Sequence, residues 1–155
     1  MSEALGLILK LLVVKEIQKK DAGSAIIFQE GQSGSLPSSI KDYDYLLKLA
    51  YRSLERQHPV AVSLNKQGQI TEMARADNDF PTQFIDNDKE RMKVVFQGHD
   101  GTFFLRKDHP DFKKLSDVFH QAIKEKYRVW FVAQKPQLSL IDVIRIEIKP
   151  VEKKN

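Results

Sequence analysis

Residues 43–64 read YDYLLKLAYRSLERQHPVAVSL and residues 112–133 read FKKLSDVFHQAIKEKYRVWFVA. In each, apolar side chains recur first at helical spacing and then in near alternation, the signature of a helix running into a strand. At a constant offset, Tyr43, Leu46, Ala50, Ser53 and Leu54 fall on Phe112, Leu115, Phe119, Ala122 and Ile123. Val60 and Val62 fall on Val129 and Phe131 in the same register. The chain therefore presents one helix–strand unit twice.

Working outward, the correspondence extends in both directions. Downstream, Ile70–Arg75 resembles Leu140–Arg145 in its apolar rhythm. Upstream, Asp21-Ala22-Gly23 and His99-Asp100-Gly101 read as hairpin turns, with Gly supplying the positive φ such turns need. Each is followed by an apolar run, Ile26-Ile27-Phe28 or Phe103-Phe104-Leu105. Only the first copy carries the additional stretch Gly31–Ser39, read as a flexible or partner-facing loop. Leu5–Ile17 alternates as a strand, and Ile144, Ile146 and Ile148 share one face of a final strand. The first helix is expected to start at Ser39, with Asp42 three residues on. It ends ahead of His58-Pro59, because Pro disfavours helical geometry in the residue before it. The second starts near Asp108-His109-Pro110-Asp111, where Pro in the first turn costs little.

The expected fold is α+β: two tandem ββαββ units, a pseudo-twofold duplication, with mainly antiparallel sheet and two helices packed on one side. Residues 1–76 form the first unit, 77–91 an acidic and polar linker, 92–150 the second unit and 151–155 a polar tail. The two units are expected to make one compact domain. Whether they share a sheet is not encoded in periodicity.

The chain has 155 residues, of which 41% are hydrophobic and 30% charged. That balance excludes collagen-like, low-complexity and disordered classes. With no Cys, disulfide scaffolds, thiolate metal sites and thiol catalysis are excluded too. Net charge is +4, spread unevenly, since residues 61–90 hold 3 basic and 6 acidic side chains but residues 91–155 hold 14 and 8. The apolar stretch Leu5–Val14 contains Lys10 and is too short to span a bilayer, which needs about 20 residues. A cytoplasmic location is expected.

Candidate chemistry is sparse. His99, Asp100, His109 and Asp111 have ligand chemistry for a divalent metal, but they read as a turn and a helix cap at opposite ends of one strand. Asp77-Asn78-Asp79 and Asp86-Asn87-Asp88 lack the Gly and Glu of a calcium loop. The Gly31–Ser39 stretch lacks the Gly-Lys-Ser/Thr ending of a phosphate loop, and no Gly-x-Ser-x-Gly elbow occurs. A basic, aromatic set of Arg106, Lys107, Lys124, Lys126 and Arg128 around Trp130 suits nucleic acid. Tyr45 and Tyr51 fall off the main apolar stripe of the first helix, and with Trp130 and Arg145 they are the expected lining of a ligand cleft.

The reading that follows is a non-enzymatic binding module for a small ligand, peptide or protein partner, in the cleft between the repeats, without a cofactor. Nucleic-acid binding through the basic second half is the alternative, and a metal-dependent enzyme ranks third. The long strands Leu5–Ile17 and Leu138–Ile148 offer edges for a partner or a second copy.

Overall fold

A computed structural model describes residues 9–134 and 137–144. It is an α+β structure with two helices and two mostly antiparallel sheets. The first half comprises β1 (Lys10–Lys20), β2 (Gly23–Phe28), β3 (Ser33–Pro37), α1 (Tyr43–Arg56), β4 (Pro59–Leu64) and β5 (Ile70–Arg75). The second comprises β6 (Asp77–Asp79), β7 (Pro81–Ile85), β8 (Arg91–Phe96), β9 (Phe103–Arg106), α2 (Phe112–Glu125), β10 (Val129–Gln134) and β11 (Ser139–Ile144).

β1 changes partner along its length. Lys10–Val13 pair with Pro59–Val62 of β4, whereas Val14–Lys20 pair with β2, with an irregularity after Val14. Such a break orphans backbone groups, and the buried Ser53 hydroxyl of α1 meets one of them, accepting from Val14 N at 3.0 Å. β3 pairs with β2 and closes toward β5, where Ser35 N donates to the Gly68 carbonyl at 2.9 Å in a parallel bridge. The circuit is first–second–third–fifth–fourth strand and back to the first.

The second half follows the same circuit. β6 and β7, separated only by Phe80, divide the role of β1: Asp77–Asp79 pair with β10 and Pro81–Ile85 with β8. β8 pairs with β9, β10 with β11, and β9 meets β11 in parallel at Phe104 and Ser139. This order, with a helix between the third and fourth strands, is that of the five-stranded Greek-key OB barrel. The likeness is one of topology and carries no function.

Each half has its own core, and each helix packs on one side of its own sheet. Leu46, Leu49 and Ala50 of α1 close on Leu12, Val14, Ile26, Phe28, Leu36, Val60, Val62 and Ile70. Leu115, Phe119 and Ala122 of α2 close on Val94, Phe96, Phe103, Leu105, Val129, Phe131 and Val143. Each such large side chain contributes about 1.5–3 kcal/mol on burial. A third cluster of Leu9, Leu11, Ala61 and Val132, flanked by Trp130, Ile141 and Ile144, joins the halves. β1 and β10 thus bury both faces, which is why Leu11–Val14 and Val129–Val132 depart from alternation. Asp142 ties the same seam, accepting from Leu11 N at 2.8 Å and from Val143 N at 2.9 Å.

Several expectations are corrected. Gly31–Ser39 is not a free loop, because Ser33–Pro37 forms β3, with Gly34 and Leu36 turned into the core. Ser39 does not cap α1; the N-cap is Asp42 in left-handed geometry, after turns in which Ile40 N donates to Pro37 O and Tyr43 N to Ile40 O. Residues 77–91 are not simply a linker, since they contain β6 and β7. β1 and β11 lie inside the strand order of their sheets, β1 pairing with β4 over Lys10–Val13 and with β2 over Val14–Lys20, and β11 pairing with β10 along its length but with β9 only at Ser139. The strand begins at Lys10 and extends to Lys20, while residues 5–8 lie outside the described residues, as do Arg145, Ile146 and Ile148 of the expected final strand.

Candidate functional site

The chain passes from the first half to the second at Ala76, and there a cleft of about 340 Å³ opens. Arg52 and Arg56 reach it from α1, where four-residue spacing puts them on one helix face. His58, Pro59 and Val60 enter from the start of β4, Arg75 and Ala76 from the crossover, and Asp77 and Asn78 from β6. His99, in the turn between β8 and β9, and Trp130 of β10 complete it from the second half.

Its electrostatics are positive. Among the described residues, none of Arg52, Arg56 and Arg75 has a carboxylate at ion-pair distance. The His58 ring lies 4.7 Å from that of Trp130, centroid to centroid. Desolvation, followed by the charges of Arg56 and Arg52, lowers the His58 pKa from its ordinary value.

Opposite stands an Asp–His pair. His99 Nδ1 lies 2.6 Å from Asp79 Oδ2, and the Asp79 side chain is 7% exposed. Asp79 also accepts from Phe80 N and Gly98 N, both at 2.7 Å. Burial opposes its ionisation, but the hydrogen bonds from His99, Phe80 and Gly98 outweigh it and hold the carboxyl below the usual range. An ionised Asp79 places the imidazole hydrogen on Nδ1, leaving Nε2 as the basic atom when the ring is neutral. Nε2 points toward Asp77, whose Oδ1 is 4.0 Å away, and makes no hydrogen bond among the described residues.

Of the residues singled out in the sequence, Trp130 and His99 come together here. Tyr45 and Tyr51 do not line the cleft; they are 53% and 45% exposed on the outer face of α1. Arg145 lies outside the described residues. Asp100 is exposed in its turn, and His99 takes Asp79, twenty residues upstream, as its partner instead. His109 has both ring nitrogens engaged, Nε2 with Ile141 O at 2.7 Å and Nδ1 accepting from Asp111 N at 2.9 Å. Asp111 is the N-cap of α2. Among the described residues no three His, Asp or Glu side chains converge on a metal position.

The expected nucleic-acid cations are dispersed. Arg106 makes a bidentate pair with Asp108, Lys107 contacts Asp86 at 2.7 Å, and Arg128 donates to Asn78 and lies over Phe80. Lys124 sits in the last turn of α2 and Lys126 is its left-handed C-cap.

In the sequence His58 reads as a residue at a helix end and Asp77 and Asp79 as an incomplete calcium loop in a linker, and Arg52, Arg56 and Arg75 were not singled out. The legible signal was a cationic helix end, Arg52, Arg56 and His58 in a span of seven residues. Comparison with protein-family models, curated proteins and solved structures gave no match for this chain.

Proposed function

We propose that the chain is a non-enzymatic binding module whose two halves, read as a tandem duplication, hold a small anionic ligand in the cleft between them. The observation that carries this reading is the convergence of Arg52, Arg56 and Arg75, without carboxylate partners among the described residues, on one concave site. Three cations without ion-pair partners among the described residues outweigh the single Asp77 carboxylate of the lining, raise the local potential and favour an anion held by bidentate hydrogen bonds. The cleft volume of about 340 Å³ suits a small molecule rather than a folded partner. Trp130 and Pro59 supply apolar wall for an uncharged part of the ligand.

Trp130 is the only tryptophan, so its fluorescence reports on the site directly. Inorganic phosphate and sulfate should change that emission saturably. Arg52→Ala and Arg75→Ala should each weaken binding about tenfold or more, as loss of a charged hydrogen bond implies. Unchanged affinity in both variants would remove the anion site.

One observation favours a second reading, single-stranded nucleic acid on the outer face of β8 and β9. Arg91 lies 3.7 Å over the Phe104 ring, with Lys93 opposite Phe104 and Arg106 opposite Arg91. A cation over an aromatic on an open strand face suits base stacking. Oligonucleotide affinity that falls steeply with salt and is lost in Phe104→Ala, but not in Arg75→Ala, would favour this face.

A further inference from the structure

We propose that His99, oriented by Asp79, is a proton-accepting group turned into the cleft, and that the anion it serves is a phosphate monoester. The inference rests on the cleft being an anion site and adds the chemistry of the anion. Asp79 is buried, accepts three hydrogen bonds and is held ionised, so it fixes the ring without competing for the proton at Nε2. Phe96, Phe103 and Phe131 pack around the same ring at 5.3–6.1 Å, limiting its rotation. Nε2 makes no hydrogen bond among the described residues and lies on the side of Asp77, which lines the cleft with the arginines.

A ring nitrogen that shares one cleft with three arginines selects among oxyanions. Carboxylates, sulfate esters and phosphodiesters carry no proton to give once they are anionic. A phosphate monoester does, because its second ionisation falls near pH 6. Its P–O–H proton passes to Nε2, the imidazole becomes imidazolium, and the phosphate gains one negative charge. Arg52, Arg56 and Arg75 stabilise that charge, while Asp79 balances the imidazolium without taking the proton. Asp77, 4.0 Å from Nε2, stabilises the protonated ring from the second side.

Two measurements on the full chain test this. The first is alkylation of His99 by iodoacetate and by neutral iodoacetamide, mapped by peptide mass spectrometry in a protein that has no thiol to compete. Iodoacetate should label His99 at Nε2 about tenfold faster than iodoacetamide, as for an anion drawn into a cationic cleft, and phosphate should protect it. His120, exposed on α2 outside the cleft, should show no such preference. The second is affinity for phenyl phosphate and phenyl sulfate at pH 6. The phosphate should bind about tenfold tighter, and His99→Asn should abolish that advantage, read as the ratio of the two affinities in each protein.

An unreactive His99, or a phosphate preference that survives His99→Asn, overturns the inference. If both esters still bind and arginine variants weaken them, the anion site stands without it. If neither ester binds, both readings fall.

Discussion

At the scale of the residue, His58 reports on the cleft. Its pKa is lowered by desolvation, Arg56 and Arg52, so the folded protein prefers the neutral ring. The resulting stabilisation is fully present above the unfolded value of about 6.5 and is lost as pH falls through the lower folded value. An anion between the arginines offsets their field, so ligand binding should raise the His58 pKa and take up protons. NMR titration of the ring with and without phosphate checks the sign, and a downward shift on binding would contradict the placement of the anion. Arg56→Ala should raise the same pKa in the free protein. The sequence shows Arg52, Arg56 and His58 close together at a helix end, but there His58 reads only as a boundary residue ahead of a proline.

At the scale of the element, β3 shows how a glycine can mislead. Gly31–Ser39 has loop composition, yet Gly34 faces the core, where a Cβ would come 2.5 Å from Leu64 Cδ2 and 2.9 Å from Ile70 Cγ1. The strand closes the circuit against β5 only because Gly34 leaves that space. Gly34→Ala should therefore destabilise the first half by about 1–3 kcal/mol, the cost of overpacking, measurable by urea denaturation. An unchanged midpoint would mean that β3 does not close on β5. The helices and hairpin strands were legible because their periodicity survives one buried face. β3, β6 and β7 were not, being three to five residues long, with Gly and Ser in β3, Asp and Asn in β6 and Pro81 opening β7, where propensity argues for loop.

At the scale of the whole molecule, the seam between the halves couples structure to site. Asp142 lies there, and burial raises its carboxyl above the usual range against the pull of Leu11 N, Val143 N, Lys114 and Lys10. A raised folded pKa means stability present below the unfolded value of about 3.9 and lost as pH rises through the folded value. Wild type should thus lose stability relative to Asp142→Asn between about pH 4 and pH 7, as read by urea midpoints at both. A difference that grows the other way would show that the two backbone donors dominate at this carboxylate.

The sequence by itself determined which segments become helix, which turns carry positive φ and which side chains enter a core, because these follow from local periodicity and backbone sterics. It also set the helix and the two strands after it in each half, but not the strands ahead of the helix, where two were read in each unit and the structure has β1–β3 before α1 and β6–β9 before α2. Only tertiary structure decided that β1 divides its pairing between β2 and β4, that β6 and β7 divide the same role, and that Arg52, Arg75, His99 and Trp130 meet. Strand neighbours and convergent side chains depend on contacts between residues far apart in the chain, and periodicity encodes which face is buried but not what it is buried against.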